Sequence, residues 1–200
     1  MIEVEKKFLI DSKDLDKIFK AAKFLSEKIF IDIYYDNSSF DLTKNDCWLR
    51  QRDSKFEYKI PAGKKGEDKN FFNRYEEIEN EDQIFQKLNL KKDDSLIKVL
   101  EKNGYLPFCE LKTTRKKFQE EEFIIDIDLV EYKDFTYNIV EIELMVENEN
   151  EMESAKEKIL KFAKSKDLII KNVQGKVIEY LQVKNPAHYQ ALVKSGTIIV

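Results

Sequence analysis

Residues 2–10, which read IEVEKKFLI, are the stretch from which the fold can be predicted. Apolar and charged side chains alternate along them with a period of two, which is the period of a β-strand. The apolar face would carry Ile2, Val4, Phe8 and Ile10. The charged face would carry Glu3, Glu5 and Lys7. This predicts a strand with one face in a core and a charged opposite face.

The same alternation recurs along most of the chain. It is clear over residues 46–52, 55–60, 123–129 and 139–146, and weaker over residues 29–35, 71–78 and 108–118. Together with the first stretch, these segments predict about eight strands.

Helical patterns occupy the segments between these strands. Asp11 and Ser12 could cap a helix that runs to about Glu27. Further helices are expected over residues 82–103 (one or two), 150–166, 176–184 and from Pro186 onward. Residues 61–70 have the composition of a loop. With no repeat and no linker, the sequence predicts a single α+β domain over residues 1–200.

Like charges are paired on the predicted strand faces. Acids two residues apart occur at Glu3/Glu5, Asp126/Asp128 and Glu141/Glu143, and arginines at Arg50/Arg52. A solvated face alone could account for any one pair. Because like charges on one face repel, their repetition favours a shared cation for the acids and a shared anion for the arginines. Arginine is scarce in this lysine-rich chain, which favours a geometric role for each one.

If the amphipathic helices cover the apolar strand faces, the charged faces must point away from them. We therefore expect a closed eight-stranded antiparallel β-barrel with flanking helices and an ionic interior wide enough for one small ligand. Carboxylates alone select a hard cation such as Mg²⁺, Mn²⁺ or Ca²⁺. Neighbouring Lys and Arg side chains suit a phosphate chain, so phosphoryl or nucleotidyl transfer is the predicted chemistry.

The composition excludes several other classes. The chain has 200 residues and a net charge of -4, which argues against a duplex-DNA binder. No apolar run is long enough for a transmembrane helix, and the first residues do not suggest a secretory signal. A single histidine, His188, leaves little for a His-based zinc site or a Ser-His-Asp triad. With only Cys47 and Cys109, we expect a reduced, cytoplasmic protein. We also expect a monomer with no nucleic-acid or membrane partner.

Seven ordered stretches carry a resemblance to a known family. The Glu3-x-Glu5-x-Lys7 pattern is similar to the ExExK signature of the CYTH, or triphosphate tunnel metalloenzyme, family, and within it to the thiamine triphosphatase branch. The other stretches are Tyr34–Asp36, Cys47–Arg52, Glu57–Gly63, Asp126–Asp128, Val140–Glu143 and the tail with Lys176–Gln182 and His188–Gln190.

The resemblance implies site residues by position. The implied metal ligands are Glu3, Glu5, Asp126, Glu141 and Glu143. The implied phosphate-binding residues are Lys7, Arg50, Arg52, Lys59, Arg115 and Lys176. Trp48 resembles a stacking surface for the thiazolium ring of thiamine, and a flat ring suits a permanent cation.

The implied activity is Mg²⁺-dependent (or Mn²⁺-dependent) hydrolysis of the terminal phosphate of thiamine triphosphate, in thiamine metabolism. Water would be oriented by Asp126 or Glu141, or activated by Lys7 or Lys59 with a depressed pKa. The alternatives are an inorganic tripolyphosphatase or a nucleoside triphosphatase, and then a class IV adenylyl cyclase or a non-catalytic polyphosphate-binding module. The roles of Arg74, Glu76 and Asp128 stay open at this point.

Overall fold

The computed structural model describes residues 2–10, 20–61, 75–171 and 173–198, and within them eight strands form one antiparallel sheet. The strands are β1 (Ile2–Leu9), β2 (Lys23–Asp36), β3 (Trp48–Arg52), β4 (Lys55–Pro61), β5 (Tyr75–Ile78), β6 (Leu106–Glu120), β7 (Phe123–Glu131) and β8 (Thr136–Val146). Their order in the sheet is β1-β8-β7-β6-β2-β3-β4-β5. The predicted strands are therefore confirmed in number within these residues.

Five α-helices lie in the described residues. They are α1 (Glu81–Lys87), α2 (Leu96–Lys102), α3 (Met152–Ser165), α4 (Lys176–Lys184) and α5 (Pro186–Lys194), and short 3₁₀ turns occur at Thr43–Asn45 and Glu149–Glu151. The Asn80 side chain accepts a hydrogen bond from the backbone N–H of Gln83 and so caps α1. Pro186 begins α5, as predicted from its fixed φ.

The prediction of a closed barrel is wrong for the described residues. The strand order begins with β1 and ends with β5, and no pairing in this part of the chain joins the two. Strand β5 has only four residues, and all four pair with β4. In this pairing Ile78 lies opposite Tyr58, and Tyr75 lies opposite Pro61. The alternation of the sequence specifies strands and their faces, but it does not specify which strands pair at the ends of a sheet.

The predicted helix from Ser12 to Glu27 is also wrong in its second half, because β2 begins at Lys23. The Phe24 ring packs edge-on against Phe118 of β6, with centroids 5.5 Å apart. Strand pairing and this aromatic contact outweigh the helical spacing of the apolar residues. Residues 11–19, Arg74 and most of the predicted loop over residues 61–70 lie outside the described residues.

Contacts group the described residues into two units. The first unit comprises residues 2–10, 20–29, 113–171 and 173–176, and the second comprises residues 30–61, 75–112 and 177–198. The prediction of a single domain stays a prediction.

The core of the first unit lies between α3 and the apolar faces of β1, β7 and β8. Helix α3 contributes Ala155, Ile159, Phe162 and Ala163 to it. The strands contribute Val4, Phe8, Phe123, Ile125, Ile127, Val140, Ile142, Leu144 and Val146. Since successive strand residues point to opposite sides, this packing assigns the carboxylates of the same strands to the other face.

The core of the second unit is built in the same way. Residues of α1 and α2 pack against the apolar side chains of β3, β4 and β5, and the cluster includes Leu49, Phe56, Tyr58, Ile78, Ile84, Phe85, Leu96, Val99 and Leu100. The expectation that helices cover the apolar strand faces is confirmed within each unit.

Ile159 of α3 is fully buried, so its replacement tests the packing of the first unit. Ile159→Ala should lower the free energy of unfolding by about 2–5 kcal/mol, because it leaves a cavity against the sheet. Lys161→Ala, at an exposed position of the same helix, should change it by less than about 0.5 kcal/mol. Urea unfolding followed by circular dichroism measures both, and equal effects would contradict this packing.

Candidate active site

Antiparallel register brings the acids of the first unit together. Glu5 of β1 lies opposite Glu143 of β8, and Lys7 lies opposite Glu141. On the other side of β8, Asp126 of β7 lies opposite Glu141. A one-residue slip would turn these side chains to the other face of the sheet, so the buried apolar faces fix the acidic face as well.

Two groups of carboxylates could hold a metal ion, and both contain Glu143. The first group, Glu3, Glu5 and Glu143, has one exposed, one half-buried and one buried member. The second group, Asp126, Glu141 and Glu143, is buried throughout. Within each group, one carboxylate oxygen from every residue lies within 4.8 Å of the others. All five predicted metal ligands therefore lie together, and oxygen ligands of this kind suit a hard divalent cation.

Arg115 is the cation that holds the acidic face together. Its guanidinium donates to both oxygens of Asp128 (2.6 and 2.7 Å), to Asp126 Oδ2 (2.5 Å) and to Glu141 Oε2 (2.8 Å). Such forked, charge-assisted hydrogen bonds are among the strongest in proteins. Asp128, whose role the sequence left open, lies fully buried against Arg115.

Two lysines complete the predicted set in this unit. Lys176, the first residue of α4, donates to Asp128 Oδ2 at 2.7 Å. Lys7 Nζ lies 2.5 Å from Glu5 Oε1 and 3.5 Å from Glu141 Oε1. Lys7, Arg115 and Lys176 are therefore brought to the acidic face, and their assignment as phosphate-binding residues stays a prediction.

Among the residues that the structure describes, the charges of this face do not balance. Lys117, which the sequence reasoning did not place in the site, pairs with Asp126 and Glu143. The six carboxylates are Glu3, Glu5, Asp126, Asp128, Glu141 and Glu143. They face four cations, Lys7, Arg115, Lys117 and Lys176, which leaves a surplus of two negative charges among these ten residues. One divalent cation would neutralise that surplus.

The pKa values of the acids follow the imbalance. Burial and the neighbouring Asp126 and Glu3 charges raise the pKa of Glu143 from 4.5 to about 8. Burial also raises the pKa of Asp126, against the effect of Arg115. For Glu141, burial acts in the same sense, but Lys7 and Arg115 outweigh it and hold its pKa well below the usual range. At Glu143, burial and the neighbouring acids thus outweigh the effect of the Lys117 cation.

In the second unit, the three predicted cations are paired with three acids, and Arg50 also lies 3.9 Å from Asp32, the acid bonded to Arg52. Arg52 donates to both oxygens of the fully buried Asp32, at 2.7 and 2.9 Å. Arg50 binds Glu57 through two nitrogens. Lys59 donates to Glu77. The Arg52 guanidinium also stacks on the Phe30 ring, 4.0 Å from its centroid. This unit contains none of the three-carboxylate groups found among the described residues.

Trp48, the only tryptophan, is held by a carboxylate. Its indole N–H donates to Asp46 Oδ1 at 3.0 Å, and the Tyr75 hydroxyl donates to the same oxygen at 2.9 Å. Asp46 is placed for this role by a left-handed backbone conformation, φ 59°, at the end of the 3₁₀ turn. The hydrogen bond at the N–H edge of the indole therefore fixes the orientation of the ring.

His188 has a structural environment. It is fully buried, stacks on Phe40 with ring centroids 3.9 Å apart, and pairs through Nε2 with Thr43 Oγ1 at 2.7 Å. Thr43 in turn donates to Asp36 Oδ2, at 2.7 Å. Burial lowers the pKa of His188 to about 4, so the ring stays neutral at physiological pH.

The sequence reasoning missed the partner acids and one cation. Asp32, Asp46, Glu57, Glu77 and Lys117 were not predicted as site residues. Lys117 alternates with Arg115 on β6, and this signal could have identified it. Asp46 precedes its strand, and the hydrogen bond to Trp48 depends on local backbone geometry that a sequence pattern does not specify.

The acid pairs on β1 and β8, and Arg115 of β6 with its bonds to acids of β7 and β8, form the pattern with which known families can be compared. The CYTH domain profile matches residues 1–173. The chain belongs to the CYTH family. No helix of the described residues has the length and hydropathy needed to span a membrane.

Similar proteins and structures agree with the CYTH assignment. The thiamine-triphosphatases of Macaca fascicularis and Homo sapiens are each 31% identical over 212 residues, which cover 97% of this chain and 90% of the relative. The PH1819 protein from Pyrococcus horikoshii OT3 has the same fold, with a TM-score of 0.65, 23% identity, and coverage of 90% of this chain and 98% of that one. HpAC1 from Hippeastrum, described with a dominant triphosphatase activity, has a TM-score of 0.57, 18% identity, and coverage of 95% and 96%.

Glu143→Gln should have opposite effects without and with metal. In the wild type, the raised pKa of Glu143 makes stability fall as the pH rises from 4.5 through about 8, because the folded state holds the proton more tightly than the unfolded state. The variant lacks this loss, so at pH 9 in EDTA it should melt a few degrees higher.

With millimolar Mg²⁺, the order should reverse. The wild type should gain stability from the bound ion, whereas Glu143→Gln lacks a carboxylate shared by both groups and should gain little. Thermal melts at pH 9 with EDTA and with Mg²⁺ measure both effects. A variant stabilised by Mg²⁺ as strongly as the wild type would exclude Glu143 as a ligand.

Proposed function

We propose that this CYTH protein is a metal-dependent phosphohydrolase that removes the terminal phosphate of thiamine triphosphate, giving thiamine diphosphate and phosphate. The observation that carries the proposal is the acidic face of the first unit. It combines a surplus of two negative charges with cations of the kind that bind phosphate. Relatives named thiamine-triphosphatase at 31% identity support the choice of substrate.

The proposed metal is Mg²⁺, with Mn²⁺ as an alternative, held by Glu3, Glu5 and Glu143. This group is preferred because Glu3 is exposed and Glu5 is half-buried, so a hydrated ion can reach it. Mg²⁺ usually keeps several of its waters, which suits a partly open group. Asp126 and Glu141, the other predicted metal ligands, would add negative charge next to this group. When bound, the metal would neutralise charge on the phosphate oxygens.

The proposed phosphate-binding residues in the first unit are Lys7, Arg115 and Lys176. The fork of Arg115 can hold phosphate oxygens in the geometry in which it now holds carboxylates. Lys176 at the start of α4 adds backbone N–H groups and the positive end of a helix dipole. Arg50, Arg52 and Lys59 of the second unit are proposed as further phosphate-binding residues, each oriented by its own acid.

A carboxylate is the better candidate for orienting the attacking water. The low pKa of Glu141 keeps it ionised, so both of its oxygens can accept hydrogen bonds. Asp126 is the second candidate, since its Oδ1 is buried and accepts no hydrogen bond. Lys7 and Lys59 are less suited, because each is engaged in an ion pair with a carboxylate. In either case positioning and electrostatics would supply most of the catalysis.

Trp48 distinguishes the substrates that share this chemistry. An inorganic tripolyphosphatase or a nucleoside triphosphatase would need the same acids and cations. The thiazolium of thiamine is a permanent cation, which an indole face attracts. A class IV adenylyl cyclase is a weaker alternative, because it would in addition need groups that recognise a nucleobase. A non-catalytic polyphosphate binder is also weaker, because five clustered carboxylates exceed what binding alone requires.

Phosphate release from thiamine triphosphate, tripolyphosphate and ATP tests the proposal directly. We expect the highest kcat/KM for thiamine triphosphate with Mg²⁺ and loss of activity in EDTA. Glu3→Gln should lower turnover by about 100-fold or more while the fold is retained, because a proposed metal ligand is lost. Glu153→Gln, at an exposed position of α3, is the matched control and should keep wild-type turnover. Tight triphosphate binding without turnover would instead establish a binding module.

Trp48→Leu tests the thiamine specificity alone. The variant should lose about tenfold in kcat/KM for thiamine triphosphate, the size expected of a cation–π contact of ~1–2 kcal/mol. Tripolyphosphate, which has no ring, should be hydrolysed at the wild-type rate, and Trp48→Phe should be intermediate. An equal loss for both substrates would reduce Trp48 to a packing role.

A further inference from the structure

Lys117 is the one cation of the acidic face that contacts the shared acid, Glu143, among the ion pairs found in the described residues. Its Nζ lies 3.7 Å from Glu143 Oε2 and 3.2 Å from Asp126 Oδ1. This Asp126 oxygen is buried and accepts no hydrogen bond from the described residues, so the ammonium is its counter-charge. Lys117 reaches it from β6 with a side chain that is 35% exposed.

The second carboxylate group is thus already supplied with cations. Arg115 binds the other oxygen of Asp126 at 2.5 Å and Glu141 Oε2 at 2.8 Å. Lys117 pairs with the remaining Asp126 oxygen and with Glu143. All three acids of this group therefore have a protein cation within ion-pair distance, and two of them have Lys117.

We propose that Lys117 occupies the second carboxylate group as a built-in cation and limits the protein to one resident divalent ion. The inference rests on the proposed metal site of Glu3, Glu5 and Glu143. Two divalent ions that share a bridging carboxylate are a common arrangement in phosphoryl-transfer sites, and here Glu143 is placed to bridge. A second ion at Asp126 and Glu141 would have to displace the Lys117 ammonium, which repels it.

The charge count of the face agrees with a single ion. With Lys117 present, one divalent cation neutralises the surplus of two negative charges. Without Lys117 the surplus is three, and Asp126 Oδ1 and Glu143 lose their nearest lysine. The second group then has two buried carboxylates, Asp126 and Glu143, for which a divalent ion is the remaining counter-charge, since buried charges must be compensated.

Titration calorimetry with Mn²⁺ tests the inference without using turnover. The measurement uses the full chain without substrate, and Mn²⁺ electron paramagnetic resonance counts the bound ions independently. The wild type should bind one Mn²⁺ and Lys117→Met should bind two, with spin coupling between the ions. Lys117→Arg keeps the charge and should bind one.

Lys116→Met is the matched control. Lys116 is the neighbouring residue on the other face of β6, where its Nζ lies 3.9 Å from Glu27, so this variant should bind one Mn²⁺. Lys117→Gln should also bind two ions and serves if Lys117→Met does not fold. Two ions in the wild type, or one in both neutral Lys117 variants, would overturn the inference while leaving the proposed hydrolase in place. A wild type that binds no Mn²⁺ would remove the proposed metal site and the inference with it.

Discussion

The compensation of buried carboxylates by a few cations is the interaction on which the first unit depends. Helix α3 covers one face of β1, β7 and β8, and strand alternation then commits six acids to the opposite face. Taking such charges out of water is costly unless each is paired and hydrogen-bonded. Arg115 meets much of this requirement by bonding Asp126, Asp128 and Glu141 at once. Its removal would leave several buried charges uncompensated, so Arg115 is as much a part of the fold as of the site.

The two units solve the same electrostatic problem in different ways. In the second unit, Arg50, Arg52 and Lys59 are hydrogen-bonded to three nearby acids, so these charges balance locally. In the first unit, acids outnumber cations and share them, which leaves Glu143 with a raised pKa. A local balance favours rigid orientation of the cations, whereas a shared deficit favours the uptake of an external ion. The pairing pattern of each unit thus agrees with the proposed roles, which are metal binding in the first unit and anion binding in the second.

Much of this arrangement could be predicted from the sequence, because strand alternation encodes it directly. The period of two over residues 2–10, 123–129 and 139–146 specifies both the strands and the face that carries each acid. The start of β2 could not be predicted, because a strand-pairing partner outweighed a helical pattern that is local. Closure of the sheet was wrongly expected, since no local signal specifies its edges. The partner acids Asp32 and Asp46 depend on contacts between distant residues and on a left-handed turn, and a one-dimensional pattern contains neither.

Trp48 gives the protein a built-in optical reporter of one unit. Because it is the only tryptophan, the indole emission of the whole chain comes from the second unit. The hydrogen bond from its N–H to Asp46 fixes the surroundings on which the emission wavelength depends. Loss of that contact on unfolding would shift the spectrum. The loss of order in the second unit can therefore be followed separately from the helix and strand content of the complete chain.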